Sequence, residues 1–450
     1  MLSPYGKMDD KLNISFLKEI CVPDDGIQTG PFGSLLHQKD YVPFGTPIIT
    51  VEHLGENRII HKDIPCVKVE DKERLARFLL REGDIVLSRV GSVDRRVLVR
   101  KQEEGWLFSG RCLRIRPNPE FINSSWLSWF FGLPQFKAYI RRIAFGSTMP
   151  SLNTAILNKV PIYYPNRPEQ DAAAEILNAL DDKIELNRQM NRTLEGMAHA
   201  IFKSWFVDFD PVTAKAAGRN PFGMKNATSK LFPDKFVGSE AGDIPQGSVV
   251  RPFSFITTIH GGGTPKTNVG EYWDGEIPWF SVVDSPSESD VFVMNTEKKI
   301  TQKGLDESSS KLLEEGTTII TARGTVGNLA LVGQPMAMNQ SCYGLKGHNG
   351  FGSYFTYYSI KGLVRDLKLR SSGSVFDTII RSTFDSIKIV VPPLGQAQEY
   401  EKWVAPLMEQ IKLNLVESST LNKIRELLLP RLLSGEIRVN QSKRIVEKVS

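Results

Sequence analysis

The chain has 450 residues, of which 41% are hydrophobic and 24% are charged, and its formal net charge is +5 at pH 7. This composition is typical of a soluble protein with two or three domains, and no apolar run approaches the roughly 18 residues of a membrane span. Acidic residues interrupt the N-terminal stretch where a signal peptide would be apolar, so we expect a cytoplasmic protein without membrane contact.

The first element along the chain is the glycine-rich stretch GIQTGPFGS at Gly26–Ser34. Such turns cradle phosphates in P-loops, but the Lys-Ser/Thr ending that a P-loop requires is missing here. A shift of 231 residues carries Gly30 to Gly261 and Pro47 to Pro278, so the stretch has a counterpart in the second half. We therefore interpret it as a tight backbone turn of a duplicated domain, and not as a nucleotide site.

The repeat extends through three further pairs of segments with drifting offsets. REGDIVLSRVGSV (81–93) matches LEEGTTIITARGTV (313–326), FSGRCLRI (108–115) matches MNQSCYGL (338–345), and FGSTMPSLNTAILNKVPIYYP (145–165) matches SGSVFDTIIRSTFDSIKIVVP (372–392). Short β-branched and aromatic runs between Gly and Pro predict strands, with short helices such as the one around SSWLSWFFGLPQFKAYIRR. The sequence therefore predicts one mostly-β domain used twice, of the α+β class, and the long period argues against a solenoid.

The basic excess lies in the first repeated domain. Residues 1–169 hold 24 Lys and Arg against 19 Asp and Glu, and many of the arginines fall between Arg74 and Arg142. An arginine cluster of this kind is either a phosphate-binding surface or an ordinary solvated charged face, and both interpretations stay open at this point.

A long helix is predicted after each repeated domain. From Glu169 to Trp205 the only Gly or Pro is Gly196, and apolar or amide side chains recur in steps of three and four. A shift of 227 gives the same spacing in the second helix, which predicts that the two helices pair as a coiled coil. The alternative is that each helix only caps its own domain. The expected helix-pairing residues are Ile184, Asn187, Leu194, Ile201 and Trp205 in the first helix and Ile411, Asn414, Leu421, Leu428 and Leu432 in the second.

Polar residues within and around this seam have separate expected roles. Asn187 and Asn414 occupy equivalent places and would fix the register of the helix pair at some cost in stability. Asp181, Lys183, Glu185 and Arg188 are placed on outer helix faces, where they either bind partner subunits or are simply solvated.

The expected domain order follows from these elements. The boundaries are 1–169 for the first repeated domain, 170–207 for the first helix, 208–241 for a Pro- and Gly-rich surface connector, 242–395 for the second repeated domain, 396–437 for the second helix and 438–450 for a tail.

The chain contains a series of motifs in a characteristic order. They are DGIQTGPFGSLL near the start, PNRPEQDAAAEILNALDDKIELNRQMNRTLE in the central helix, IFKSWFVDFDPV after it, GDIPQGSVV and GGGTPKTNVGEYWDGEIPWFS opening the second half, and LLLPRLLSGEI closing the last helix. With these motifs on a duplicated plan, the chain resembles the specificity subunits of type I restriction-modification enzymes over nearly its whole length.

The resemblance implies a non-catalytic subunit with two target-recognition domains, each of which reads one half of a split, asymmetric DNA sequence. It also implies that the two helices pair in antiparallel orientation, act as a ruler and dock two methyltransferase subunits, with restriction subunits as further partners. A helix of 37 residues is about 55 Å long, enough to hold two reading heads about one DNA turn apart, roughly 34–36 Å. S-adenosylmethionine, ATP and magnesium are then implied for the partner subunits, and no cofactor is expected on this chain.

The residues themselves give no sign of catalysis. We find no glycine-rich cofactor loop between a strand and a helix, no Asn-Pro-Pro-aromatic or Asp-Pro-Pro-aromatic stretch, and no metal-ligand spacing among the six histidines or the cysteines Cys21, Cys66, Cys112 and Cys342. A nuclease-like triplet of Asp63, Glu70 and Lys72 is of a kind that is common by chance.

DNA reading needs Arg or Lys against guanine, Asn or Gln against adenine, and any of these against phosphate. The candidates in the first domain are Arg89, Arg95, Arg96, Arg141 and Arg142, and those in the second are Lys266, Arg323, Asn339, Gln340 and Arg381. Two alternatives remain: the specificity chain of another restriction system with a fused methyltransferase-nuclease partner, and a coiled-coil adaptor that binds protein.

Overall fold

The computed structural model describes residues 2–3, 6–7, 12–146, 149–287, 289–371 and 379–437. The chain forms two compact units. Unit 1 comprises Met1–Lys183 and Leu421–Ser450, and unit 2 comprises Ile184–Thr420. The predicted tail 438–450 and parts of the repeat segments at 147–148 and 372–378 lie outside the described residues.

Unit 1 is built from short strands and helices. Its strands are β1 (Leu2–Ser3), β2 (Gly6–Lys7), β3 (Asn13–Phe16), β4 (Ile27–Thr29), β5 (Thr46–Ile49), β6 (Glu56–Asn57), β7 (Cys66–Val67), β8 (Ile85–Ser88), β9 (Arg96–Leu98), β10 (Leu107–Phe108), β11 (Cys112–Ile115) and β12 (Pro161–Tyr164). Its helices are α1 (Val69–Arg74), α2 (Ser124–Phe131), α3 (Pro134–Ile143) and α4 (Thr154–Asn158), with 3-10 turns at Leu17–Ile20, Gly33–Leu35, Gln38–Asp40, Val51–His53, Ala76–Phe78 and Lys101–Glu103. Helices α2 and α3 are the ones predicted around SSWLSWFFGLPQFKAYIRR.

Two long helices each contribute residues to both units: α5 (Arg167–Phe206) and α11 (Leu394–Leu433). Unit 2 also contains α6 (Asp210–Ala216), α7 (Asn226–Ser229), α8 (Gln302–Asp306), α9 (Ser353–Ser371) and α10 (Arg381–Ser386), with 3-10 turns at Phe253–Phe255, Gly270–Tyr272 and Val282–Asp284. Its strands are β13 (Phe236–Ser239), β14 (Gly242–Pro245), β15 (Val249–Pro252), β16 (Thr257–Gly261), β17 (Trp273–Phe280), β18 (Phe292–Val293), β19 (Lys299–Ile300), β20 (Thr318–Thr321), β21 (Leu329–Val332), β22 (Ala337–Met338), β23 (Cys342–Gly347) and β24 (Lys388–Val391).

The strand order in the sheets confirms the duplication. Unit 1 has a five-stranded sheet in the order β4-β11-β8-β9-β6, a three-stranded sheet in the order β10-β5-β7 and the pair β12-β3. Unit 2 has the matching sheets β16-β23-β20-β21-β18, β22-β17-β19 and β24-β15. The α+β class with two mostly-β domains and two long helices is therefore confirmed.

Each five-stranded sheet separates two hydrophobic cores because alternate side chains of a strand point to opposite faces. In unit 1, Ile85 and Leu87 of β8 face a core formed with α2, α3 and parts of α5 and α11, whereas Val86 faces the three-stranded sheet. In unit 2, Ile320 of β20 faces the core that includes the long helices, and Ile319 faces the core beside β17 and β22. The long helices are thus an integral part of both domain cores.

The segment predicted as a surface connector is more ordered than its composition suggests. It forms α6 and α7, and Val212 and Phe232 are buried in the core of unit 2. The apolar residues are too few and too irregularly spaced to give a periodic signal, so the sequence pattern missed these short helices.

The glycine turn shows a one-residue error in the predicted register. The Gly30 amide donates to the Cys112 carbonyl (3.2 Å), and the equivalent bond in unit 2 runs from Gly262 to Cys342 (3.3 Å). A side chain at either glycine would approach a backbone carbonyl oxygen, that of Ser109 or Asn339, to about 2 Å. Gly30 therefore corresponds to Gly262 and not to Gly261, because only this position passes so close to the neighbouring chain.

Candidate nucleic-acid interface

In unit 1 four loops meet at one end of the five-stranded sheet. The loop after β4 (30–34), the loop between β8 and β9 (89–95) and the loop before β11 (109–111) lie together because these strands are antiparallel neighbours. The segment 145–152, described except for 147–148, runs beside the loop at 89–91 through a bridge between Val90 and Ser151. We call these segments the first loop cluster.

Backbone hydrogen bonds hold the first loop cluster in a defined shape. The Arg89 amide donates to the Arg111 carbonyl (2.8 Å), and the Arg89 carbonyl accepts from the Leu152 amide (2.8 Å). The Gly91 amide donates to the Pro150 carbonyl (2.9 Å), and Gly91 has a φ of +75° that favours glycine at this turn. The cluster is therefore a preorganised surface, as precise recognition requires.

Large apolar side chains and arginines share this surface. Phe32 has an exposed fraction of 62%, Phe145 of 66% and Met149 of 59%. Arg95 and Arg111 are also exposed. Arginines projecting from one rigid loop surface are suited to contacts with a polyanion such as duplex DNA.

The predicted DNA-contacting residues of the first domain differ in accessibility. Arg89 is half-buried, donates to the Gly110 carbonyl (3.1 Å) and lies over the Phe32 ring (5.7 Å), with its buried Nε atom lacking a partner among the described residues. Arg141 pairs with Asp94 (2.5 Å) and Arg142 lies over a tyrosine ring (5.4 Å), while both stay exposed. Their role in DNA contact stays a prediction.

The prediction for Arg96 does not fit its position and is corrected. Its side chain is only 2% exposed and donates from Nε to the Ser128 carbonyl (2.5 Å) beneath the ring of Trp129 (5.9 Å). Burial lowers the pKa of Arg96 to about 10, with nearby Glu56 opposing that shift. Arg96 lies in β9, where successive side chains alternate between faces, so it points inward although it directly follows the exposed loop residue Arg95.

Other arginines of the basic first domain are also interior. Arg114 and Arg116 are buried on β11 and just after it, where they contact Asp25 and Asp84. The Arg116–Asp84 pair has an N–O distance of 2.7 Å. The positive surface of the domain is therefore smaller than the arginine count predicts.

Unit 2 repeats the arrangement with different side chains. The second loop cluster comprises 262–266, 322–328, 339–341 and 379–381, at the matching end of the sheet. The Ala322 amide donates to the Ser341 carbonyl (2.7 Å) and the Ala322 carbonyl accepts from the Ile379 amide (3.0 Å), as Arg89 does in unit 1. Gly324 has a φ of +74°, matching Gly91.

All five candidates of the second domain fall in this cluster. Lys266, Arg323, Gln340 and Arg381 are exposed, and Asn339 is half-buried. The Asn339 side-chain oxygen accepts from the Ser341 amide (3.0 Å), and the Gln340 side-chain oxygen accepts from Thr264. The structure thus brings the predicted residues together, and their contact with DNA stays a prediction.

The two clusters offer different hydrogen-bonding groups at equivalent places. Arg111 of unit 1 corresponds to Ser341, and Gly110 corresponds to Gln340. Arg111 and Phe32 were missed by the sequence analysis. The aligned segments FSGRCLRI and MNQSCYGL have only their Cys in common, so the alignment alone did not single out the loop positions.

In unit 2, α5 and α11 contact each other in antiparallel orientation through amide side chains. Asn187 Nδ2 donates to Glu417 Oε2 (2.8 Å) and Ser418 Oγ (3.2 Å), and Asn414 Nδ2 donates to Asn191 Oδ1 (2.9 Å). Further along, the Tyr400 hydroxyl donates to the Ala198 carbonyl (3.1 Å). The partner numbers fall as the α5 numbers rise.

The other predicted pairing residues of unit 2 are apolar and buried to different degrees. Ile184 is buried, Trp205 and Ile411 lie in the core that includes the long helices, and Leu194 and Ile201 are partly buried against that core. A supercoiled geometry of the helix pair stays a prediction.

In unit 1 the helices contact each other through a buried ion pair. Arg425 Nη1 donates to Asp181 Oδ1 (2.9 Å), and Arg58 Nε donates to Asp181 Oδ2 (2.6 Å). Asp181 is 3% exposed and does not lie on an outer helix face, so that prediction was wrong. Leu432 is buried in the core of the unit, Leu428 is partly buried there, and Leu421 is half-buried.

No reactive or metal-binding centre is found among the residues that the structure describes. They contain no group of three or more His, Cys, Asp or Glu side chains that could hold a metal ion. Burial raises the pKa of the Cys21, Cys112 and Cys342 thiols to about 12, which disfavours the nucleophilic thiolate. None of the described helices is long and apolar enough to span a membrane.

Comparison with known proteins gives a consistent result. The model of the type I restriction modification DNA specificity domain matches residues 15–196 and 246–415, which is most of the chain. The specificity subunit of the type I restriction enzyme HindI of Haemophilus influenzae is 28% identical over 425 residues, covering 85% of this chain and 92% of the relative. The MjaIX specificity subunit of Methanocaldococcus jannaschii is 27% identical over 335 residues, covering 71% and 70%.

A solved structure supports the fold. The crystal structure of a type I restriction-modification system S subunit from M. genitalium matches with a TM-score of 0.57 and covers 96% of this chain and 99% of its own. Its sequence identity is 16%, so the likeness concerns the fold alone.

Proposed function

Because this chain belongs to the family of type I restriction-modification DNA specificity subunits, we propose that each of its two loop clusters reads one half of a bipartite, asymmetric DNA sequence. The chain acts in the cytoplasm without catalysing methyl transfer or cleavage itself. Partner methyltransferase subunits supply the chemistry, together with S-adenosylmethionine, and restriction subunits add ATP- and magnesium-dependent cleavage.

One observation carries this proposal: the same loops occur at the same end of two matching five-stranded sheets, with different exposed side chains. Equivalent backbones would approach DNA in the same manner, while different side chains would read different bases. Arg111 in the first cluster is suited to guanine or phosphate, and Gln340 in the second is suited to adenine. Two unlike half-sites follow from this difference.

The antiparallel contact of α5 with α11 supports a role of the helices in assembly. Their amide and ionic contacts are specific in register, because a shift of either helix would leave Asn187, Asp181 or Arg425 buried without a partner. A fixed register would fix the number of unread base pairs between the half-sites. Exposed faces of the same helices are available to dock the two methyltransferase subunits.

A domain exchange tests the proposal. Residues 1–166, which end just before α5 begins, are replaced with the corresponding residues of a family member of different specificity. The chain is co-expressed with its methyltransferase subunit, and the methylated sequence is determined across the genome. We expect one half of the methylated sequence to change while the other half and the spacer stay the same.

The matched control is the exchange of residues 246–393, which end just before α11. It should change only the other half-site. If either exchange alters both halves, the loop clusters are not independent readers and the proposal fails. If the wild-type complex binds duplex DNA with an affinity that does not fall with salt, phosphate contact is absent and a protein-binding adaptor is favoured instead.

A further inference from the structure

A basic segment follows α5 in unit 2. Between Asp210 and Asp234 the chain has no acidic residue, while it has four basic ones, Lys215, Arg219, Lys225 and Lys230. We call Pro211–Pro233 the basic segment. Neither the recognition loops nor the helix contacts use its tip, so its surface lacks a role in the function proposed above.

The basic segment is a folded element attached to the long helices. Phe232 packs edge-on against Trp205 of α5 with ring centroids 5.1 Å apart. Thr228 donates to Glu399 of α11 (2.8 Å), and Gln396 of α11 donates to the Leu231 carbonyl (2.9 Å). These contacts fix the segment on the unit, so its tip has a defined position.

Helix α6 ends in a specific stop before the tip. The Gly218 amide donates to the Lys215 carbonyl (2.9 Å) and the Arg219 amide donates to the Ala214 carbonyl (2.8 Å), with Gly218 at a φ of +69°. This pair of bonds is the Schellman arrangement that terminates a helix and turns the chain outward. The Lys215 ammonium donates a hydrogen bond to the Ser229 carbonyl (3.2 Å), so it binds within the segment itself.

Phe222 projects from the turn that follows. It has a relative exposure of 104%, the highest of the large hydrophobic residues that the structure describes, while Pro221 before it is buried. Met224 after it packs against the core of unit 2, and Gly223 between them has a φ of +68°. The ring is therefore held out between two anchored neighbours and is not exposed through the looseness of a chain end.

Three exposed cations lie within eight residues of this aromatic tip in sequence. Arg219, Lys225 and Lys230 are exposed, and none of them forms an ion pair within the described part of the chain. A rigid apolar side chain inside a polar rim is the pattern of a binding hot spot, where the rim excludes water from the central anchor. The rim here is positive, so the complementary surface is negative.

We propose that the tip of the basic segment docks on the methyltransferase subunit, with Phe222 inserted into an apolar pocket bordered by carboxylates. Duplex DNA would also attract the cations, but it can cover a phenyl ring only if a base step is opened, whereas a protein pocket covers it directly. This inference rests on the proposed function for the identity of the partner. It adds an anchor separate from the exposed faces of the helix pair.

The test measures assembly of the full chain with its methyltransferase subunit. Purified wild-type chain and F222A are titrated with the methyltransferase in a binding assay without DNA, and we expect F222A to raise Kd at least about tenfold. The matched control is F44A, since Phe44 of unit 1 is also strongly exposed (87%) but lies outside the basic segment. F44A should bind like the wild type.

A charge variant tests the rim separately. K225E should weaken assembly severalfold at low salt and less so at high salt, because exposed ion pairs are screened. The proposal is overturned if F222A and wild type assemble equally, or if F44A loses as much affinity as F222A. It is also overturned if assembly is intact and F222A only lowers the affinity of the assembled complex for duplex DNA, which would make the tip a DNA contact.

The same samples separate this inference from the proposed function. If wild-type complexes bind duplex DNA without salt dependence or without two half-sites, the DNA-reading proposal fails whatever Phe222 does. If F222A assembles poorly, and the complexes that form at high subunit concentration methylate the wild-type sequence, docking is impaired while DNA reading is intact.

Discussion

The two units share one strand order and each packs apolar residues of the long helices into its core, but their central contacts differ. In unit 1 a buried ion pair accompanies the apolar core, with Asp181 of α5 between Arg425 of α11 and Arg58 of the sheet domain. In unit 2 aromatic rings pack there, with Phe202 of α5 against Tyr400 of α11 (5.6 Å) and other rings. A duplicated fold can therefore keep its topology while its central packing changes in kind.

The difference is located at equivalent positions. The shift of 227 residues that relates the helices carries Asp181 to Met408, and it relates Arg425 to Ala198. Met408 and Ala198 are both fully buried in the core of unit 2. Unit 1 thus has an ion pair at the positions where unit 2 has two apolar residues. Buried ion pairs add little net stability over apolar pairs, but they are costly to break.

Breaking the ion pair should have the largest effect. Asp181→Ala removes the buried carboxylate that Arg425 and Arg58 share, and leaves Arg425 only the more distant Glu56 (3.8 Å). We expect unit 1 to lose about 3–5 kcal/mol of unfolding free energy. Urea denaturation, with hydrogen exchange to assign the loss to unit 1, measures this. The matched control is Asp182→Ala, which removes the exposed partner of the same Arg58. Its side chain is 57% exposed, so its loss should matter by less than about 1 kcal/mol.

The apolar residues of unit 2 can be introduced at the equivalent positions of unit 1. The double variant Asp181→Met/Arg425→Ala should regain most of the stability that Asp181→Ala loses, because it removes the unpaired charge on α11 together with its partner. If the double variant is as unstable as the single one, the ion pair is not equivalent to the apolar pair and the comparison fails.

In unit 2 the packed rings should contribute strongly to stability. Phe202→Ala removes a buried ring that packs on Tyr400 and Tyr358, and we expect a loss of about 3–4 kcal/mol in unit 2. This loss should be the same at low and high salt, since no charge is involved. Phe222→Ala serves as the control for removal of an exposed ring and should leave the free energy of unfolding unchanged.

Much of this architecture could be predicted from sequence, and the misses have physical causes. The repeat predicted the duplicated domains because strand spacing and glycine turns are local features, and the three-four spacing predicted where the helices lie. The ionic role of Asp181 was missed because its partner Arg58 lies 123 residues away in sequence. The interior position of Arg96 was missed because the exposed loop ends at Arg95 and strand β9 begins at the next residue.

The residues of the loop clusters were also predicted only in part. Five candidates of the second domain fall in one cluster, because they were selected at strand ends that the fold brings to one edge. Arg111 and Phe32 were missed because neither stands out locally, and only the pairing of β11 with β4 and β8 brings their loops together.

A partly buried carboxyl in unit 2 gives a pH-dependent difference between the units. Glu401 of α11 accepts from the Phe355 amide (2.7 Å) at the start of α9, and the equivalent position in α5 is Ala174. Burial raises the pKa of Glu401 to about 7, against the effect of its backbone hydrogen bonds. The folded state therefore holds this proton more tightly than the unfolded state, so the stability of unit 2 falls as pH rises from about 4.5 to 7.

Glu401→Gln keeps the acceptor and removes the charge. We expect the variant to match the wild type below pH 4.5 and to exceed it by about 2–3 kcal/mol above pH 7, in unit 2 only. Denaturation midpoints measured between pH 4 and 8 give this profile. Glu240→Gln, at an exposed position, is the control and should give a flat difference of less than about 0.5 kcal/mol. A gain for Glu401→Gln at pH 4 would contradict the raised pKa.

The smallest expected effect is a loss of DNA affinity caused by a substitution in the first loop cluster. Arg111→Ser gives the first cluster the side chain that the second has at Ser341, and it should weaken binding of the assembled complex to its methylated sequence by about 1–2 kcal/mol. If Arg111 contacts a base, binding to duplexes altered in the first half-site weakens less than binding to the wild-type site, and discrimination there relaxes. If it contacts phosphate, binding to all duplexes weakens equally and the magnitude of the salt slope falls by about 1.

The control is Arg77→Ser, which replaces an exposed arginine of unit 1 outside the cluster. It should change neither the affinity for the methylated sequence nor the salt slope. Equal losses from Arg111→Ser and Arg77→Ser would mean that the loop cluster is ordinary basic surface, and the two units would then differ in their attachment to the helices but not in what they read.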